Sequence, residues 1–301
     1  MDLSPILIVG SANADHVFRT PRMPSPGETV LGSSFGIYAG GKGANQAVAA
    51  ALLGGAVSFT GCIGDDADGQ LLIGSLRSAN VDLRFLRVQA VPTGAAGIFV
   101  DDQGANVIVA APGANSRVSA DQVIEAADAV RPEFTLCQLE IPSEAVEACS
   151  RAGKFVLNPA PARPVSGELL ARCFAITPNE TELEFLTSIF PSDEQACAKA
   201  AHKLLDLGVE NVIVTLGARG SQWISRSGSR LFSAPEVTPI DTTGAGDVFN
   251  GALVTLLAEG RDLANCLSLA NHAAALSTTR LGAQSSAPSR AELIALARTL
   301  F

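Results

Sequence analysis

The densest concentration of chemically useful residues lies at 241–251, Asp-Thr-Thr-Gly-Ala-Gly-Asp-Val-Phe-Asn-Gly. Gly244, Ala245 and Gly246 bring backbone N–H groups with little side-chain cover to the start of the helical pattern that follows, and a helix terminus of that kind holds anions. Asp247 conflicts with this, because a carboxylate competes with a phosphate for the same positive end. The conflict resolves if Asp247 takes a proton from a hydroxyl while the N–H groups hold a phosphoryl group in transfer. The alternative is an ordinary glycine-rich turn with Asp247 in a first helical turn.

A second segment, Gly-Gly-Lys-Gly-Ala-Asn-Gln at 40–46, lacks the spacing of a nucleoside triphosphate loop, since no Ser or Thr follows the lysine to hold magnesium. What remains is a tight turn, Gly41 included, with Lys42 and Asn45 at a helix start, suited to a polyhydroxylated ligand. Gly-Ser-Ala-Asn-Ala-Asp at 10–15 likewise lacks GxGxxG, and Asn13 and Asp15 either read hydroxyls or are plain turn residues. Glu140 stands between Leu139 and Ile141 as a desolvated functional group or a capped turn. Asn179 with Glu182 three residues on forms a capping box, and Glu182 could also orient water around magnesium. Thr215, Gly217 and Gly220 follow a strong strand pattern where backbone could pass close to phosphates. The three histidines, His16, His202 and His272, have no partner at metal-ligand spacing, and no GxSxG marks a serine hydrolase.

These residues need elements to hold them. Ile6-Leu7-Ile8-Val9 is an unbroken apolar run, as expected of a strand covered on both faces. Strand patterns recur at 56–59, 134–139, 155–157, 175–177, 211–216 and 236–240. Helical patterns recur at 43–53, 70–79, 144–152, 195–207, 245–259, 263–278 and 290–299. The alternation predicts an α/β sheet. Residues 14–39 and 92–111 break it with Gly and Pro between short alternating runs at 30–37, 94–100 and 106–110, which predict short antiparallel strands. They would assemble a small sheet over the C-terminal edge of the main one, where open α/β sheets bind ligands.

With 301 residues, 47% hydrophobic and 17% charged, the chain can build a sizeable core. A net charge of −9 gives no long-range attraction to nucleic acid. Neither a leader peptide nor a run long enough to span a membrane is visible, so a cytoplasmic protein without a membrane partner is expected. The six cysteines show no CxxC pairing and are expected to be buried, inert thiols.

The segments 10–15, 40–46, 157–162, 177–182 and 241–247 together resemble those of the ribokinase-like carbohydrate kinases, and the resemblance covers about residues 5–296. It implies a three-layer α-β-α sandwich with a small β-sheet lid, built as one kinase domain over 1–301, and transfer of the γ-phosphoryl group of ATP to the O5 hydroxyl of D-ribose. By the same resemblance Asp247 is the base and the backbone of 244–247 the anion hole, while Asn13, Asp15, Gly41, Lys42, Asn45 and Glu140 contact the sugar. Asn179, Thr215, Gly217, Gly220, Gly246 and Asn271 fall where the family surrounds ATP, with helix phase left to decide whether Asn271 or the adjacent His272 faces adenine. Glu182 is the magnesium-associated glutamate. Asp241, Thr243, Ser277, Arg280, Gly282 and Ser286 bracket a potassium site, mainly through carbonyls. The resemblance further implies a homodimer paired through the lid sheet. A related kinase of a deoxysugar, another small sugar or a nucleoside, or a non-catalytic sensor of sugar or nucleotide, stays open.

Overall fold

All of Ile6-Leu7-Ile8-Val9 is buried in the computed structural model, which describes residues 4–298 and 300. Successive residues of a strand point to opposite faces, and Ile6 and Ile8 join one core while Leu7 and Val9 join another. From its start the chain runs β1 (Pro5–Val9), β2 (Asn13–Thr20), β3 (Ser34–Gly40), α1 (Lys42–Leu52), β4 (Ala56–Gly64), α2 (Ala67–Ser78), β5 (Asp82–Gln89), β6 (Gly94–Asp101), β7 (Asn106–Ala111) and α3 (Ala120–Val130). There follow β8 (Phe134–Cys137), α4 (Ser143–Cys149), β9 (Lys154–Leu157), α5 (Gly167–Leu170), β10 (Cys173–Ile176), α6 (Glu180–Thr187) and α7 (Glu194–Asp206). The last elements are β11 (Asn211–Thr215), β12 (Ser221–Ser225), β13 (Gly228–Phe232), α8 (Ala245–Ala258), α9 (Leu263–Ser277) and α10 (Arg290–Leu296).

Nine strands form the central sheet in the order β13-β12-β11-β10-β9-β8-β1-β4-β5, parallel from β5 to β11 and antiparallel at β12 and β13. Helices α1, α2, α8, α9 and α10 contribute to the core on one face and α3 to α7 to the core on the other. This is the expected α/β architecture of a central sheet flanked by helices, with a smaller accessory sheet. Side-chain caps start the helices where the sequence puts Asp or Ser: Asp66 at α2, Ser119 at α3, Asp193 at α7 and Asp262 at α9. The six cysteines are buried and unpaired. Among the described residues no helix is long and apolar enough to cross a membrane.

The accessory sheet has the order β3-β2-β6-β7. Antiparallel pairing, expected throughout, holds for β2–β3 and β6–β7, but β2 and β6 are parallel, in register from Asn13 opposite Gly94 to Thr20 opposite Asp101. The physical reason is topological: β2 continues from β1 and β6 from β5, which run the same way in the central sheet, so both enter the second sheet with the same polarity.

Other expectations are corrected locally. Residues 236–240 form no strand, because Pro235 and Pro239 withhold ladder donors; instead Ile240 N–H and Asp241 N–H donate to the Thr278 carbonyl at 2.7 and 3.0 Å. The strand expected from residue 30 begins at Ser34. Strand β5 and the hairpin β12–β13 are additional to the sequence reading. Helix α10 stops at Leu296, and Thr299, placed in that helix from sequence, lies outside the described residues, as do residues 1–3 of the expected leaderless start.

Candidate functional site

The loop 241–244 enters α8 through Gly244, whose φ of 77° is left-handed and whose place a Cβ would bring within 2.9 Å of the Ala283 side chain. No side chain caps this helix terminus. A Cβ on Gly246 would meet nothing within 4 Å, so the start of α8 opens onto free space on the Gly246 side, as an anion site requires.

In the same first turn, Asp247 is buried. Asn45 Nδ2 donates to its Oδ2 and Gln46 Nε2 to its Oδ1, both at 2.9 Å. This meeting depends on α1 and α8 packing backbone to backbone: Gly251, four residues after Asp247 on the same face of α8, lies so close that a Cβ there would stand 2.7 Å from the Gln46 carbonyl oxygen and 2.9 Å from Ala49 Cβ. The start of α1 is pinned in turn by Gly41, with φ of 86° and room for no Cβ, since one would lie 2.6 Å from Asn13 N. Lys42 and Asn45 are thereby set beside the first residues of β2.

Asp15 on β2, Glu140 after β8, Glu182 on α6 and Asp247 on α8 surround Lys42 electrostatically. Burial opposes the Lys42 ammonium, yet the four carboxylates outweigh it and raise its pKa. The Asp15 carboxyl is pushed up to about 6 by burial, then by Glu140 and Asp247. Asp247 is raised by burial and by Glu140, against the pull of Lys42 and the Asn45 and Gln46 amides. Burial likewise raises Glu182. Glu140 accepts from the Ser11 hydroxyl and, at 3.3 Å, from Lys42 N–H, so it ties β1 to α1 while facing the cluster. Asn13, at the start of β2, has its amide oxygen held 2.6 Å from Asn115 Nδ2.

On the other flank Asn179 and Glu182 form the expected capping box at 2.8 and 2.9 Å. Asn179 bridges to Thr215 at the end of β11. Gly217 and Gly220 turn the chain there with φ of 58° and 95°. Asn271 spends its amide hydrogens on Ser221 Oγ and the Phe232 carbonyl at 3.1 and 2.9 Å, which leaves only its oxygen for a ligand. His272 is turned along its own helix, with Nδ1 2.8 Å from the Ser268 carbonyl.

The Asp241 carboxylate joins two loops, accepting from Thr243 N–H and Gly282 N–H at 2.9 Å each. Ser277 and Ser286 donate their hydroxyls to the Ala274 and Ala283 carbonyls. The Arg280 guanidinium pairs with Glu292 at 2.5 Å, so Arg280 can offer this region only backbone. Among the described residues no three His, Cys, Asp or Glu side chains converge as a metal cluster.

Sequence reasoning singled out Asn45 and Asp247 but not the buried amides around them. Gln138 donates to Gln46 Oε1, Asn158 accepts from Gln46 and donates to the Thr177 carbonyl, and Gln284 donates to Asn45 Oδ1. The available signal was an amide inside an apolar stretch, as in Cys137-Gln138-Leu139, since a buried amide needs partners.

A family model described as pfkB family carbohydrate kinase matches residues 4–290. Ribokinase of Haemophilus influenzae is 44% identical over 298 residues, or 96% of this chain and 97% of that protein. Ribokinase of Thermotoga maritima superposes with a TM-score of 0.91 at 37% identity, covering 98% of this chain and 99% of that one. The Arabidopsis thaliana ribokinase complexed with ribose and ATP gives a TM-score of 0.89 at 33% identity, covering 98% of each chain.

Proposed function

The chain belongs to the pfkB family of carbohydrate kinases and is an ATP-dependent phosphotransferase, and on that premise we propose that it transfers the γ-phosphoryl group to the O5 hydroxyl of D-ribose, giving D-ribose 5-phosphate. The observation that carries this reading is a buried carboxylate, Asp247, in the first turn of a helix whose uncapped start opens onto free space at Gly246. Asp247 takes the hydroxyl proton as the oxygen attacks phosphorus, while backbone N–H groups of 244–247 stabilise the phosphoryl oxygens. Asn13, Asp15, Gly41, Lys42, Asn45 and Glu140 supply the mixture of donors and acceptors that a small sugar with several hydroxyls requires, and the complex of the Arabidopsis protein with ribose and ATP supports that acceptor. Asn179, Thr215, Gly217, Gly220, Gly246 and Asn271 flank the nucleotide.

Glu182, a single carboxylate near Lys42, suits magnesium held through water, and that ion supplies charge neutralisation to the phosphates when bound. The Asp241 carboxylate joins its own loop to that of Gly282, and potassium would be held there mainly by carbonyl oxygens from among Asp241, Thr243, Ser277, Arg280, Gly282 and Ser286. Residues 1–301 form one kinase domain in this reading, acting as a homodimer paired through the accessory sheet, and six unpaired thiols suit the cytoplasm.

The test is ADP release with ribose, 2-deoxyribose, fructose and adenosine, run on the wild type and Asp247→Asn. The expected result is the highest kcat/KM with ribose, and a kcat for Asp247→Asn lowered roughly 10² to 10⁴-fold with ribose binding retained. A preference for another acceptor reassigns the substrate, and no turnover with any of them counts against the ribose assignment and favours the non-catalytic alternative.

A further inference from the structure

The amides behind Asp247 have no part in the reaction outlined above, and Gln46 and Gln284 are only 0% and 6% exposed, too buried to touch a sugar. We infer that Gln46, seated between Asn158 and Asp247, and Gln284, acting through Asn45, are positioning residues that present Asp247 to the substrate hydroxyl as an acceptor at both oxygens. The inference rests on Asp247 being the base.

A primary amide has a donor end and an acceptor end, and which way it faces is decided by neighbours able to play only one role. The Thr177 carbonyl can only accept, so Asn158 Nδ2, 3.2 Å away, points at it and Asn158 Oδ1 faces Gln46. That oxygen, 3.1 Å from Gln46 Nε2, turns the NH2 end of Gln46 into the site, 2.9 Å from Asp247 Oδ1. On the opposite side Gln284 Nε2 lies 3.5 Å from the Gly40 carbonyl and 3.1 Å from Asn45 Oδ1, while Ser75 Oγ donates to Gln284 Oε1. Asn45 therefore presents its NH2 to Asp247 Oδ2. Both relays start from backbone carbonyls and end in donors, so a protonated Asp247 would set its O–H against an N–H on one side.

The surroundings otherwise favour protonation. Asp247 is buried and faces Asp15 from β2, Glu140 from the turn after β8 and Glu182 from α6, against Lys42 alone from α1. Lys42 opposes burial and like charge most strongly, and the two amide donors add to it, each holding one oxygen of Asp247 as an acceptor.

The experiment is the single-turnover rate of phosphoryl transfer from pH 5 to 9 for the wild type, Gln46→Met, Asn158→Ala and Asp247→Asn, with sugar binding and thermal melting measured alongside. In Gln46→Met, which keeps the length of the side chain but donates nothing, the acid limb moves up by about one pH unit or more, so that the rate below the limb falls about tenfold and recovers at alkaline pH. Asn158→Ala removes the anchor but leaves Gln46 in place, and shifts the limb the same way by less. A Gln46→Met rate lowered by one factor at every pH, or an unmoved limb, overturns the inference, and Asn158→Ala is read identically if Gln46→Met does not fold. Asp247→Asn separates the two failures: near-full activity there removes the base itself, whereas loss of activity there with unmoved limbs elsewhere removes only the relay.

Discussion

Asp15 carries opposite requirements for binding and for stability. Its carboxyl moves from 3.8 to about 6, chiefly because it is buried and then because Glu140 and Asp247 stand near it. A folded-state pKa above the unfolded value means that the folded chain binds the extra proton between those two values, so stability falls as pH rises through that window. In the proposed sugar site Asp15 accepts in its ionised form, so sugar binding is expected to weaken as pH drops below about 6. Asp15→Asn is expected to melt at a higher temperature than the wild type at pH 7, with the difference vanishing near pH 4, where both carry no charge at this position. Calorimetry across that range checks the sign. The same variant should raise the KM for sugar on the order of 10 to 100-fold, the worth of a hydrogen bond to a charged group, with the KM for ATP held.

At the scale of elements, the site is an alignment of α1 with α8, and the contact that sets it is Gly251 against the α1 backbone. Gly251→Val forces the helices apart, at an expected cost of about 1 to 3 kcal/mol in denaturant unfolding for overpacking. It should also lower kcat, because Asn45 and Gln46 draw away from Asp247. If the variant unfolds as the wild type does, the close contact does not govern the alignment. The loops 241–244 and 278–286 are a second such unit, clasped by the Asp241 carboxylate. Replacing potassium with tetramethylammonium at constant ionic strength and saturating magnesium should lower phosphoryl transfer, since the cation would order the loop that leads into the anion hole. Equal rates in the two salts count against a potassium site there.

For the whole molecule, the accessory sheet leaves apolar surface uncovered. Phe35, Phe18, Phe99 and Val107 are cross-strand neighbours in one row, with Ile37 and Val109 in the adjoining one, and all six are exposed. Ring contacts at 4.7 and 5.3 Å link Phe18 to Phe35 and Phe99. Such a face with open edges suits the proposed pairing with a second copy, which would offer the same row in return. Sedimentation at tens of micromolar should give a dimer, and Phe18→Asp with Val107→Lys should give a monomer. A wild-type monomer at that concentration removes the dimer and leaves the kinase reaction standing.

Alternating apolar runs and glycine punctuation determined the layered α/β class, the accessory sheet and most helix positions, because hydrophobic period and caps are written locally. Gly244, Gly246 and Asp247 were legible as a candidate anion-binding helix start for the same reason: such a site needs only consecutive residues. The capping box of Asn179 and Glu182 is local too. Tertiary structure alone decided that Gln46 and Asn158 meet at Asp247, that Asn271 faces Ser221 while His272 lies along its own helix, and that β2 runs parallel to β6. Periodicity says that a side chain is buried, not what it is buried against. A hydrogen bond across 201 positions, as from Gln46 to Asp247, leaves no mark on the residues beside either end.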